Sequence, residues 1–178
     1  MAYQPYLISI LTKVVRTLDQ HQFQFALAGG LAYSALVIPR ATSDIDFLIL
    51  LSEKDPANIF RLLAAAFDSF IAHPAPMKFK NVTLWRAVGG ADKQEVILDF
   101  LLAETDFHRS ALSRKQHVAF ADISLPIVTP EDLFLLKGLS NRPQDQVDCS
   151  EIKRSYAKTW DREYLLHWRD RLGLTIEI

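Results

Sequence analysis

Two aspartates stand two residues apart where the segment ATSDIDFLIL (residues 41–50) turns apolar. On a strand successive side chains alternate between faces, so Asp44 and Asp46 point one way while Ile45 and Phe47 point the other. Two carboxylates presented side by side repel unless a cation lies between them or one is protonated. Mg²⁺ is the expected cation, because its hard oxygen preference suits carboxylates and triphosphates alike. Just upstream, FALAGGLAYSAL (residues 25–36) sets Gly29-Gly30 between a short apolar strand and a helix of small residues. A glycine turn opening a helix offers backbone N–H groups to phosphate oxygens. Together these features point to phosphoryl or nucleotidyl transfer.

The surrounding elements must hold these groups in place. Leu7, Ile10, Leu11, Val14, Val15 and Leu18 recur at helical spacing and predict an amphipathic helix over 7–18. A strand over 22–28 precedes the glycines, and a helix over 31–37 follows them, ended by Pro39. Residues 43–51 predict a strand that is apolar on both faces, as in the centre of a covered sheet. Asp55-Pro56 reads as a cap and a first-turn proline, starting a helix that runs to about Phe70 with Ile59, Leu62, Leu63, Ala66 and Phe67 inward.

Residues 81–88 and 95–102 predict two strands joined by the turn Gly89-Gly90-Ala91-Asp92, and hence a hairpin. In the second, Val96, Leu98 and Phe100 share a face and Asp99 lies on the other. An acid in so apolar a strand needs compensation, which makes Asp99 the third member of the acidic cluster. Thr129-Pro130-Glu131-Asp132 is a helix start, with Leu133, Leu136 and Leu139 as its stripe. Further helices are expected from Pro143 and over 160–172, the latter ended by Gly173. The division that follows is an α/β catalytic part over 1–125 and a C-terminal helical part over 126–178.

At 178 residues the chain can bury one sizeable core. A net charge of −1 removes any global electrostatic case for nucleic acid or anionic membrane. The basic stretches from His108-Arg109 to Lys115 and from Lys153 to Lys158 read as solvated helix faces. No apolar run is long enough to span a bilayer, and the first residues lack the pattern of a secretion signal. Cys149, the single cysteine, excludes an internal disulfide and a multi-cysteine zinc site, and His21, His73, His108, His117 and His167 show no ligand spacing. A reducing, cytoplasmic location and no membrane partner are expected. Trp85, Trp160 and Trp168 read as core, with base stacking the alternative for Trp85.

In order, these motifs resemble the nucleotidyltransferase superfamily of the polymerase-β type: strand, Gly29-Gly30, short helix, Asp44-Ile45-Asp46, then Asp99 on a later strand. Arg40-Ala-Thr42-Ser43-Asp44 is similar to the R-x-T-x-D approach of the abortive-infection, toxin-like branch. The stretch TPEDLFLLKGLSNRPQDQVD, with Lys137, Arg142, Pro143, Asp145 and Asp148, looks like that branch too. The resemblance implies an α+β nucleotidyltransferase fold, a short mixed sheet flanked by helices, with a small helical part after it.

It also implies roles. Asp44, Asp46 and Asp99 would hold Mg²⁺, and Asp99 would take the acceptor's proton. Gly29, Gly30, Arg40, Thr42 and Ser43 would bind the triphosphate, and Lys137 would neutralise charge on the leaving pyrophosphate. The implied substrate is an NTP and the acceptor a protein, an RNA end or a small hydroxylated molecule, with a cognate antitoxin as partner. Read as bare residues, Asp99 could instead be a salt-bridged core acid, Lys137 a snorkelling lysine, and Arg142 a partner for Asp145. The rivals are a non-catalytic nucleotide-binding module or an oligomeric interaction protein with this fold, and, behind them, a phosphohydrolase using the same metal site.

Overall fold

The computed structural model describes residues 5–51, 55–79, 82–91, 93–120 and 122–178. Helix α1 (Pro5–Gln20) buries the six apolar residues whose spacing predicts it. Strand β1 (Gln24–Ala28) leads through the glycines into α2 (Gly29–Leu36), which stops short of Pro39. Strand β2 (Asp44–Leu50) carries the acid pair, and α3 (Asp55–Ala64) follows. The capping reading of the Asp55 and Pro56 side chains, the strand start at Asn81 and the turn position Asp92 fall outside the described residues.

Helix α3 ends at Ala64, well before Phe70, because the chain turns to form β3 (Ser69–Ala72) and then β4 (Met77–Phe79). Neither short strand has enough alternation to be visible in the sequence. Strand β5 (Val82–Ala91) runs on through Gly89-Gly90, which are paired with Val96 and Glu95 of β6 (Gln94–Leu102) and are not the turn. The reversal comes later, where Lys93 adopts φ 64°. Helix α4 (Asp106–Ser113) buries Phe107 and His108, so this basic stretch is not a solvated face at His108. Strands β7 (Gln116–Phe120) and β8 (Ile123–Ile127) complete one mixed sheet in the order β3-β5-β6-β2-β1-β8-β7, with β4 also on β5. Helices α5 (Pro130–Ser140), α6 (Pro143–Tyr156) and α7 (Arg162–Leu172) follow. The Thr129 hydroxyl caps α5 by accepting from the Asp132 N–H, and Gly173 ends α7 in the left-handed conformation.

Burial on both faces explains the apolar run of β2 from Phe47 to Ile49, while Leu50 at its end is exposed. Phe25, Phe47 and Phe100 form a row on one face, with ring centroids 5.9 and 5.8 Å apart, and Phe60 of α3 packs its ring on Phe100. Each fully buried Phe contributes about 1.5–3 kcal/mol, which fixes which face of β2 points inward. That choice leaves Asp44 and Asp46 on the opposite face, with Asp46 against the start of α2.

Candidate active site

The acids and the glycine turn meet because three neighbouring strands are in register. Asp46 pairs with Ala28 of β1 on one side and with Asp99 of β6 on the other. Paired residues in a ladder project to the same face, so Asp46 and Asp99 stand next to each other and Asp44 lies one step down the strand, opposite Ile97. Gly29, directly after Ala28, has φ +60°, and a Cβ there would overlap the Asp46 carboxylate. Only glycine can turn the chain so close to this acid. The Gly30 N–H, in the first turn of α2, donates to Asp46 Oδ2 at 3.4 Å. A Cβ on Gly30 would lie 2.8 Å from the Thr42 hydroxyl.

Burial, first, and the neighbouring Asp99 charge push the Asp46 carboxyl up to about 6, against the opposing pull of the Gly30 N–H. The Ser43 hydroxyl donates to Asp44 Oδ1 at 2.7 Å. Asp99 is buried and bound in both oxygens by one guanidinium, from Arg86 Nε at 2.8 Å and Arg86 Nη2 at 2.6 Å. Arg86 stands directly opposite Asp99 on β5. Asp99 is therefore at once the acid beside Asp46 and a salt-bridged acid.

Lys137, buried in the last turn of α5, is held between Asp145 Oδ1 at 3.0 Å and Asp148 Oδ2 at 2.6 Å. Arg142 donates from Nε to Asp145 Oδ2 at 2.7 Å. Burial works against the ionised Asp145, yet Arg142 and Lys137 outweigh it and hold the carboxyl down at about 2. Arg40 extends this network, donating from Nη2 to Asp148 at 3.2 Å while its guanidinium lies 5.3 Å from the Tyr33 ring centre. The Ser34 hydroxyl fastens the approach loop by donating to the Arg40 carbonyl and accepting from its N–H. The Arg40 Nε is buried and has no hydrogen-bond partner among the described residues.

A cavity of about 760 Å³ opens over these groups, lined by Gly29, Asp46, Arg86, Asp99, Lys137 and Arg142, with Leu174 and Ile176 on its wall. Asp44 and Asp46 suit a hard divalent cation: two oxygen donors on one face, one of them, Asp46, raised in pKa by burial and then by the neighbouring Asp99 charge. Asp99 can join only when the Arg86 fork opens. Among the described residues, no three His, Cys, Asp or Glu side chains stand together as a ready metal cage.

The nine residues expected to bind or act fall into two connected groups. Gly29, Gly30, Asp44, Asp46 and Asp99 are brought together directly, with Thr42 and Ser43 at their edge. Lys137 and Arg40 meet at Asp148, across the same cavity for Lys137. The sequence reading missed Arg86 altogether.

A family model described as the nucleotidyl transferase AbiEii toxin of Type IV toxin–antitoxin systems matches residues 11–148. A search of curated protein sequences gives no match. Among solved structures, the solution structure of the antibiotic-resistance factor ANT(2'')-Ia is similar with a TM-score of 0.65 and 12% identity over 96% of this chain and 95% of that one. An antigenic nucleotidyltransferase-like protein from Paracoccidioides brasiliensis gives 0.60 and 16% over 97% and 94%. The lincosamide antibiotic adenylyltransferase LnuA, lincomycin-bound, gives 0.53 and 13% over 82% and 95%. At such identities these likenesses speak for a shared fold. The family match takes in the glycine turn, all three acids and Lys137 with both of its carboxylate partners, and on it the chain belongs to the AbiEii nucleotidyltransferase toxin family.

Proposed function

We propose that this nucleotidyltransferase moves an NMP group from an Mg²⁺-bound NTP to a hydroxyl acceptor at the cavity over Asp46. One observation carries the reading: Asp46 faces Asp99 across the β2–β6 ladder and accepts from the Gly30 N–H at the start of α2. That juxtaposition sets carboxylates beside a backbone donor that suits phosphate.

Asp44 and Asp46 would hold the cation, which when bound supplies Lewis-acid charge to the triphosphate oxygens. Gly29 and Gly30 admit the phosphates against the backbone, and Arg40, Thr42 and Ser43 add donors. Asp99, released from Arg86, takes the proton of the acceptor hydroxyl as its oxygen bonds to the α-phosphorus and the bond to pyrophosphate breaks. Lys137 turns from its carboxylates to meet the charge on the leaving group. In this reading residues 1–125 supply the acids and the phosphate turn, while 126–178 supply Lys137 and a wall of the cavity. The protein would act in the cytoplasm with a cognate antitoxin. No helix among the described residues is long and apolar enough to cross a membrane.

The pairing of Asp99 with Arg86 and of Lys137 with Asp145 and Asp148 favours a second reading, a module that binds nucleotide and does not turn it over. Incubation with each labelled NTP, ATP first, Mg²⁺ and cell extract separates the two. Label transfer that is lost in Asp44→Ala/Asp46→Ala supports the enzyme. Transfer undiminished in that double variant overturns the assignment of these acids, and tight Mg²⁺–NTP binding without pyrophosphate release selects the module.

A further inference from the structure

The sheet face that carries the acids continues past Asp99. Alternate residues of a strand share a face, and paired residues of a ladder share it across strands. Leu101 follows Asp99 on this face of β6, and β5 sets Arg86 opposite Asp99 and Leu84 opposite Leu101. Val82 comes next on that face of β5, with Phe79 of β4 opposite it. A strip of Leu101, Leu84, Val82 and Phe79 therefore runs from Asp99 toward the carboxyl end of β6. All four line the cavity over Asp46.

The helical part supplies the rest of the apolar lining: Leu139 of α5, Leu172 of α7 and, past Gly173, Leu174 and Ile176. This tail is seated on α5 at Gly138, where a Cβ would lie 2.7 Å from Ile176 Cδ1 and 3.3 Å from Leu174 Cδ1. Phe79 is 60% exposed, so the cavity presents an uncovered aromatic ring. The cations of the cavity, Arg86, Lys137 and Arg142, are each held on a carboxylate, and the strip itself carries no charge.

In-line displacement sets the attacking and leaving oxygens on opposite sides of the phosphorus. Asp46 is flanked by Ala28 and the glycine turn on its β1 side and by Asp99 on its β6 side. With the triphosphate at the glycine turn, the acceptor enters from the Asp99 side, along the strip. We infer that the strip is the acceptor subsite and that it takes a hydroxyl carried on an apolar, aromatic body without a phosphate. Burial of that body supplies the affinity, and the Phe79 ring adds a ring-to-ring contact. The hydroxyl oxygen then bonds to the α-phosphorus, the bond to pyrophosphate breaks and Asp99 receives the proton. The subsite rests on the nucleotidyl-transfer reading, which gives Asp99 and the glycine turn their two sides.

The test is ligand-observed saturation-transfer NMR on the full chain, with benzyl alcohol, N-acetyltyrosinamide, glycerol and glycerol 3-phosphate as probes. The aromatic probes should bind at least about tenfold more tightly than the other two, the lower limit for burying such a ring. N-acetyltyrosinamide ahead of benzyl alcohol assigns a protein side chain as the source of the hydroxyl, and the reverse order a free alcohol. Phe79→Ala should remove about fivefold of the aromatic affinity, the worth of one ring-to-ring contact. Ile176→Asn, on the tail, should weaken the same probes. Because Phe79 is exposed, its variant reports even where an Ile176 variant does not fold. Equal binding of all the probes, glycerol 3-phosphate ahead of the aromatic pair, or aromatic affinity unchanged in Phe79→Ala overturns the subsite. Failure of the transferase reading shows separately, as Mg²⁺–NTP affinity untouched by Asp44→Ala/Asp46→Ala.

Discussion

Asp46 concentrates the electrostatic strain of the site, and its protonation should be visible in stability. Its folded-state carboxyl titrates at about 6, raised by burial and by Asp99, against 3.8 for the free group. The folded chain therefore binds the proton more tightly than the unfolded chain does, and stability falls as pH rises between those two values. A shift of this size corresponds to on the order of 3 kcal/mol. Urea midpoints measured from pH 4 to pH 7 should show a loss of that order beyond what Asp46→Asn shows, and the variant should be the more stable protein at pH 7. If Mg²⁺ sits at the acids, adding it at pH 7 should raise the wild-type midpoint and do less for the variant. Gly29 is fixed by its neighbour in a different way. Alanine there adds a left-handed strain of about 1 kcal/mol and a methyl group that displaces the Asp46 carboxylate. Gly29→Ala should thus lose nearly all nucleotide transfer, while its circular dichroism stays native.

At the level of elements, the join between α5 and α6 is built from charge inside the core. Lys137 neutralises two buried acids from the next helix, and each acid has a second partner, Arg142 for Asp145 and Arg40 for Asp148. Lys137→Met should cost about 3 kcal/mol in chemical denaturation, the lower part of the range for an uncompensated buried charge, because those second partners remain. Adding Asp148→Asn to that variant should return part of the loss.

Elements with strong periodicity or capping chemistry were legible: α1, β2, the Thr129 cap, the Pro143 start and the Gly173 stop. Strands β3, β4, β7 and β8 have three to five residues each, too few to show alternation, and they owe their shape to pairing partners. Arg86 was hidden by a register error. A turn at Gly89–Asp92 would set Asp99 opposite Val82, whereas the observed reversal at Lys93 sets it opposite Arg86. The two glycines misled because a close neighbour, and not a turn, explains Gly90: a Cβ there would overlap the Ser69 hydroxyl of β3. At the acids no such error arose, since their shared face depends only on spacing within one strand.

For the molecule as a whole, division of labour and cooperativity of folding part company. The apolar core takes in Leu11 of α1, Phe47 of β2, Phe107 of α4, Leu135 of α5 and Leu165 of α7 as one connected cluster. Strand β8 runs across the 125/126 division, pairing Ile127 with Leu27, and the Val128 N–H donates to the Leu27 carbonyl beside the glycine turn. A fragment of residues 1–125 would lose that support for β1 and the part of the core that α5 supplies through Leu133, Phe134 and Leu135. The full chain should therefore unfold in a single calorimetric transition, with a ratio of calorimetric to van't Hoff enthalpy of about 1. The 1–125 fragment should show no cooperative transition and should bind a hydrophobic dye. Two resolved transitions in the full chain, or a fragment that melts cooperatively, would mean that the helices after β8 are an appendage and that Lys137 reaches the cavity from a body with its own stability. A single transition ties the two instead, so that any ligand drawing Lys137 away from Asp145 and Asp148 loads the same core that holds Asp46 against Asp99.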